Sequence, residues 1–179
     1  MKNNIDINYI KSELVKIQKY FLEQKFEKVI EKTKRLLKKG PNQVPFYNYI
    51  GLSYRQLGQN LNAEKTLKKG LEIFPDNLSI ICNLGALYRF MSRFEEANHY
   101  LKKGLKIKAD DFNILCNYGN LKRDLNQNKE AIEYYNEAYK IDKFNETLLI
   151  NLAGAYQIDA EFEASKKILN EINNNFPRN

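Results

Sequence analysis

One sequence pattern returns along the chain at a fixed interval of 34 residues. The stretch ICNLGALYR at residues 81–89 is followed by the related stretch LCNYGNLKR at residues 115–123. A period of this length indicates a helical repeat protein, in which each repeat must stack on its neighbours to bury its apolar face. With Val44 taken as position 1, the chain divides into five repeats, which span residues 10–43, 44–77, 78–111, 112–145 and 146–179.

The sizes of the side chains within each repeat predict two packed helices. A small residue at position 8 of the first helix lets the second helix approach through its own small residue at position 20. Proline at position 32 is expected to end the second helix, because its ring clashes with the preceding turn and removes a donor. The residues at these three positions include Gly51, Gly85, Gly119 and Ala153, then Ala63, Ala97, Ala131 and Ser165, then Pro41, Pro75 and Pro177.

Together with Tyr at position 11, a large apolar residue at 24 and a small one at 27, this pattern resembles the tetratricopeptide repeat family. The resemblance implies an all-α fold, a right-handed α-solenoid of five tandem antiparallel helix pairs in one domain over residues 1–179. The second to fourth repeats match well, and the fifth departs at Ala153 and Ser165. The first repeat carries Glu13 and Lys16 at normally apolar positions, so it is either a degenerate capping repeat or an unrelated capping helix over residues 10–22.

The composition is that of a folded protein, with 43% hydrophobic and 28% charged residues. The N-terminal stretch has no apolar run of the length that a signal peptide or membrane span needs, so a cytoplasmic location and no membrane contact are expected. The net charge of +7 is uneven: residues 1–111 hold 21 Lys and Arg against 12 Asp and Glu, and residues 112–179 hold 8 against 10. Because the lysines alternate with core leucines at helical spacing, a solvated surface is the simplest interpretation.

Catalytic motifs are missing from the sequence. It contains one histidine, His99, and no nucleotide-binding loop, nucleophile elbow or zinc-binding spacing. Asp110 and Asp111 fall at a repeat boundary, where helix capping explains them. The two cysteines, Cys82 and Cys116, are interpreted as small hydrophobic residues. We therefore expect no enzyme activity, no cofactor and no metal site.

Two polar series follow the first helices of the repeats. Position 6 reads Tyr49, Asn83, Asn117 and Asn151, and position 12 reads Arg55, Arg89 and Arg123 in three consecutive repeats. Asparagine is a poor residue inside a helix, which favours a role in binding. The chain has 6 Arg against 23 Lys, so three arginines at one position also indicate selection of that side chain. Inheritance by duplication is the alternative for both series. At position 6 the abundance of asparagine, 23 in the chain, also favours this alternative.

The stretches CNLGALYR and CNYGNLKR also look like the asparagine-bearing repeats in the superhelical arm of the O-linked N-acetylglucosamine transferase family. In that family the position-6 asparagines grip the backbone of an extended peptide. The resemblance implies this role for Asn83, Asn117 and Asn151, whereas Tyr49 and Val15 break the pattern. A carboxamide can donate to a peptide C=O and accept from its N–H, and arginines would add forked contacts to carboxylates.

These patterns predict a non-catalytic scaffold that binds an extended, acidic peptide of a protein partner in a concave groove. The residues predicted to contact the peptide are Asn83, Asn117, Asn151, Arg55, Arg89, Arg123, Asn120, Asn48 and Tyr49. One alternative is the substrate-recruiting arm of a transferase or oxygenase system, such as a glycosyltransferase or sulfotransferase. Another is single-stranded RNA binding, which the basic N-terminal part favours and the scarcity of aromatic residues in the groove disfavours. The sequence does not identify the partner or the oligomeric state.

Overall fold

The computed structural model describes residues 7–177, which form ten α-helices and no strand. The all-α helical repeat fold is thereby confirmed. Residues 1–6 and 178–179 belong to the predicted domain but lie outside the described residues. None of the ten helices combines the length and the apolar character that crossing a membrane requires. The helices are α1 (Ile7–Leu22), α2 (Phe26–Lys39), α3 (Val44–Gln56), α4 (Asn60–Ile73), α5 (Leu78–Phe90), α6 (Phe94–Ile107), α7 (Phe112–Asp124), α8 (Asn128–Ile141), α9 (Glu146–Ile158) and α10 (Phe162–Asn175).

The helices keep the register of the 34-residue period. From the second repeat onward, the first helix of each pair begins at position 1, and every second helix ends at position 30. Side-chain caps fix three of these starts, because Asn77, Asp111 and Asn145 each accept a hydrogen bond from the backbone N–H three residues further on. The capping role expected at the third repeat boundary is therefore confirmed for Asp111.

Proline is not needed to end the second helix of a repeat. Helices α6 and α8 end at position 30 although Ala109 and Lys143 stand where other repeats have proline. In both helices the next residue turns to an extended backbone, and its N–H still bonds the carbonyl at position 27. The second helix therefore ends at the same position whether or not proline follows it, and the chain then continues to the next capped helix.

The helices pack into two compact bodies. Helices α1–α5 form the N-terminal body, which ends at Met91, and helices α6–α10 form the C-terminal body, which starts at Ser92. The boundary between the bodies lies within the third repeat and does not coincide with a repeat boundary of the sequence.

Each body has an apolar core built from several of its helices. In the N-terminal body, Ile10, Ile17, Val29, Leu36 and Phe46 form one cluster. In the C-terminal body the cluster joins α7, α8, α9 and α10 and includes the fully buried Tyr135. Leu169, expected on the apolar stripe of α10, is 40% exposed, and the neighbouring Ile168 is buried instead.

The close approach at position 8 differs from the expectation. A Cβ added to Gly119 would lie 2.6 Å from Cε1 of Tyr135, and one added to Gly51 would lie 2.7 Å from Cγ of Leu67. Both neighbours are at position 24, so the glycine makes room for a large side chain and not only for the small residue at position 20. In the fifth repeat position 20 does touch position 8, because Ser165 Oγ donates to the Ala153 carbonyl oxygen at 3.0 Å.

Candidate functional site

A chain of hydrogen bonds links α3 to α5 in the N-terminal body. Asn83 Nδ2 donates to Asn48 Oδ1 at 2.9 Å, and Asn48 Nδ2 donates to Ser79 Oγ at 2.8 Å. The Ser79 hydroxyl in turn donates to Asn77 Oδ1, the oxygen that caps α5. The two predicted asparagines of this body therefore lie together, and the capped start of α5 holds their carboxamides in place.

Tyr49 belongs to an aromatic contact and not to the hydrogen-bond chain. Its ring meets Phe21 of α1 edge to face, with the centroids 5.7 Å apart. It also packs on the apolar cluster of the N-terminal body, and burial raises the pKa of its hydroxyl. Phe21 is at position 12 of the first repeat and Tyr49 at position 6 of the second, so these two positions face each other in adjacent repeats.

The same pair of positions carries a polar contact in the C-terminal body. Arg123 Nη1 donates to Asn151 Oδ1 at 3.0 Å, which joins α7 of the fourth repeat to α9 of the fifth. Both side chains are half-buried. Asn117, also on α7, donates from Nδ2 to the backbone oxygen of Asn113 at 2.9 Å. The offset of 28 residues between facing positions is visible in the sequence and is the signal that could have predicted this pair.

Asn120 is tied to the packing of its own repeat. Its Oδ1 accepts a hydrogen bond of 2.7 Å from the hydroxyl of the buried Tyr135 on α8. The carboxamide oxygen is therefore occupied within the α7–α8 pair. Sequence reasoning missed this bond because the partner is an aromatic residue at a position expected to be simply apolar.

Arg55 and Arg89 place two positive charges in the N-terminal body. Both guanidinium groups are half-buried. The guanidinium of Arg55 has no hydrogen bond or ion pair with any residue that the structure describes. Burial lowers the pKa of Arg55, and the positive charge of Arg89 lowers it further. A partly desolvated cation beside a like charge is electrostatically suited to an anionic ligand.

Side chains that could bind a metal ion do not gather in the described residues. No set of three or more His, Cys, Asp or Glu side chains there could hold a metal ion. His99 is exposed, and its ring lies edge to face on Tyr100. Both cysteines are free thiols, and burial, followed by the charges of Asp142 and Asp111, raises the pKa of Cys116 to about 12.

Family models of the tetratricopeptide repeat match two stretches of the chain, residues 43–110 and residues 112–145. Together the matches cover more than half of the sequence. No curated protein matches the chain.

Several solved structures are similar in fold. The structure reported in a functional characterization of Pseudomonas aeruginosa pilF superposes with a TM-score of 0.82 at 13% identity, over 94% of this chain and 77% of that one. A thermophilic TPR protein of Thermus thermophilus gives 0.82 at 14% identity, over 94% and 92%. A structure of MamA gives 0.67 at 19% identity, over 92% and 91%. At these identities the similarity shows the fold alone.

Proposed function

The chain belongs to the tetratricopeptide repeat family, and from this premise we propose that it is a non-catalytic scaffold that binds an extended, acidic peptide of a protein partner. Tetratricopeptide repeats indicate a protein interaction scaffold. The proposal adds the kind of peptide and the side chains that hold it, which are the asparagines at position 6 and the arginines at position 12.

The observation that carries the acidic preference is the state of Arg55. Its half-buried guanidinium has no partner among the described residues, and Arg89 adds positive charge to the same body. A guanidinium presents its donors as a rigid planar fork that matches a carboxylate, and such charged hydrogen bonds are the strong ones. An Asp or Glu of the peptide would therefore gain most by contacting Arg55.

The asparagines would hold the peptide backbone. Asn83 donates one N–H to Asn48. Its Oδ1 has no partner among the described residues and can accept from a peptide N–H. Asn151 receives its bond from Arg123 at Oδ1, so its amide N–H groups remain to donate to a peptide C=O. Contacts of this kind bind a strand without depending on its side chains. Selectivity would then come from the arginines.

A peptide array that varies acidic content tests the proposal. We expect acidic peptides to bind the wild type and Arg55→Gln to weaken binding by about tenfold or more, because a charged hydrogen bond contributes about 1.5–3 kcal/mol. Arg35→Gln is the matched control, since Arg35 is exposed on α2 and pairs only locally with Glu31. The triple variant Asn83→Ala, Asn117→Ala, Asn151→Ala should weaken binding to acidic and neutral peptides alike.

Two results would overturn the proposal. One is unchanged peptide binding in both Arg55→Gln and the triple variant, with circular dichroism showing that they are folded. The other is tight binding of single-stranded RNA with a steep dependence on salt concentration and no binding of peptides, which would replace the peptide with a nucleic acid.

A further inference from the structure

A cleft of about 600 Å³ opens between α2 and α4 in the N-terminal body. Its floor includes Tyr47, Ile50 and Tyr54 of α3, at positions 4, 7 and 11 of the second repeat. At 100° per residue these positions lie roughly 120° around α3 from Asn48 and Arg55, and neither Asn48 nor Arg55 lines the cleft. The cleft is therefore separate from the surface proposed to bind a peptide.

Four lysines line the walls of this cleft. Lys34 and Lys38 come from α2, and Lys65 and Lys69 come from α4. No Asp or Glu is among the lining residues, and none of the four ammonium groups forms an ion pair with a described residue. Lys34 donates instead to the Tyr54 hydroxyl at 2.6 Å. All four side chains are exposed, so a ligand can reach them from solvent.

In the C-terminal body the equivalent positions carry lysine on one helix and glutamate on the other. Positions 25 and 29 of the third repeat are Lys102 and Lys106, and positions 22 and 26 of the fourth repeat are Glu133 and Glu137. At the cleft, all four of these positions are lysine. Like charges on facing walls repel each other and favour a bound anion that neutralises them. The lysine-only arrangement is thus particular to this cleft and not a feature of every repeat pair in the described bodies.

We propose that the cleft binds a small molecule that carries a diphosphate or longer polyphosphate group. Four ammonium groups supply a charge of +4, which a diphosphate balances more closely than a pair of carboxylates would. Lysine binds phosphate as a point charge, whereas planar recognition of carboxylates favours arginine. The volume falls within the range of small-molecule sites, about 300–1,000 Å³. Apolar side chains at the cleft, Leu37, Ile50 and Ile73, would contact an organic part of the ligand.

Calorimetric titration of the whole chain tests the proposal, with inorganic pyrophosphate as the first probe and ADP as the second, at constant ionic strength. We expect both to bind, ADP the more tightly, and Lys34→Gln/Lys38→Gln to weaken pyrophosphate binding by at least about tenfold. The matched control is Lys102→Gln/Lys106→Gln, which removes the same charge at the same repeat positions in the C-terminal body. It should bind pyrophosphate like the wild type.

A charge-reversal variant provides a second readout. Lys65→Glu/Lys69→Glu gives α4 the acidic residues that α8 has at the equivalent positions. Its thermal midpoint without ligand should exceed that of the wild type, and pyrophosphate should no longer raise it. No pyrophosphate binding by the wild type, equal binding by the two Gln double variants, or an equal rise of the midpoint with sulfate at the same ionic strength would overturn the proposal. Lys34→Gln/Lys38→Gln should leave binding of the acidic peptide unchanged, so the two proposals fail independently.

Discussion

Glu13 is a buried charge that the first repeat neutralises with lysines from two helices. The side chain is almost fully buried in α1, where its carboxylate lies 2.8 Å from Lys16 Nζ and 2.5 Å from Lys32 Nζ of α2. Burial raises the pKa of this carboxyl, but the hydrogen bonds from Lys16 and Lys32 lower it more, so the net pKa lies below its ordinary value. The sequence marked Glu13 as a departure from an apolar position and could not show that α2 supplies its partner.

We expect Glu13→Gln to reduce the free energy of unfolding at pH 7 by about 1–2 kcal/mol, because two lysines lose their carboxylate. A lowered native pKa means that the carboxylate stabilises the fold above its unfolded pKa and loses this effect as the pH falls through the native pKa. The difference between wild type and variant should therefore shrink below pH 4.5. Urea unfolding at several pH values measures it, with the exposed Glu27→Gln as control. Equal stability of Glu13→Gln and wild type at pH 7 would contradict the prediction.

Gly119 and Gly154 lie on equivalent first helices but in different surroundings. A Cβ at Gly119 would meet the fully buried ring of Tyr135, whereas a Cβ at Gly154 would meet no atom within 4 Å. We expect Gly119→Ala to lower the free energy of unfolding by about 1–3 kcal/mol through overpacking. Gly154→Ala should raise it by about 1 kcal/mol, because alanine stabilises a helix interior. Thermal or urea unfolding of the two variants checks both signs, and destabilisation by Gly154→Ala would show that the site is not open.

Each helix pair is connected by a turn with one residue in the left-handed conformation. This residue is at position 15 of every repeat, and only one of the five is glycine. Other L-residues pay roughly 1–2 kcal/mol in this conformation. The five residues are Gln24, Gly58, Ser92, Asn126 and Ala160. Because their side chains differ so widely, the sequence does not predict the shared geometry; the packing of the two helices imposes it.

Ala160→Gly should therefore raise the free energy of unfolding by about 0.5–1 kcal/mol, since glycine adopts a positive φ without a steric penalty. Gly58→Ala should lower it by about 1 kcal/mol, although no atom lies within 4 Å of the added Cβ. Denaturant titration of both variants provides the measurement. If the two substitutions shift stability in the same direction, the backbone conformation of these turns is not the cause.

The period of the sequence predicted the helix pairs and the side of each helix that carries the polar series, because the direction of a Cα–Cβ bond follows from position in a helix. It could not predict the partners. Arg55 and Arg123 occupy the same position of their repeats, yet the guanidinium of Arg123 bonds Asn151 while that of Arg55 has no partner among the described residues. The partner depends on rotamers and on the spacing of neighbouring helices, which one sequence does not contain.

The division into two bodies predicts which fragments of the chain keep a stable fold. A fragment of residues 92–179 keeps α6–α10 and the apolar cluster that includes Tyr135. A fragment of residues 112–179 follows a repeat boundary but loses α6, whose Gly104 accommodates the Ile114 side chain of α7. We expect the longer fragment to unfold cooperatively at the higher temperature, as measured by circular dichroism. A higher midpoint for residues 112–179 would show that the repeat is the stable unit.

Part of the excess positive charge of residues 1–111 is brought together at one place in the structure, which the sequence did not reveal. The lysines of residues 1–111 were interpreted as solvated, because they alternate with leucines at helical spacing. In the structure Lys34, Lys38, Lys65 and Lys69 are indeed exposed, but they line one cleft. Only the packing of α2 and α4 on α3 brings them to the same place.

The bond between Arg123 and Asn151 matters to anyone who would graft these repeats into another helical array. If the fifth repeat is moved alone, the Arg123 guanidinium that orients the Asn151 amide stays behind. The transplanted asparagine would then no longer be held in its orientation. A workable module therefore runs from the arginine of one repeat to the asparagine of the next.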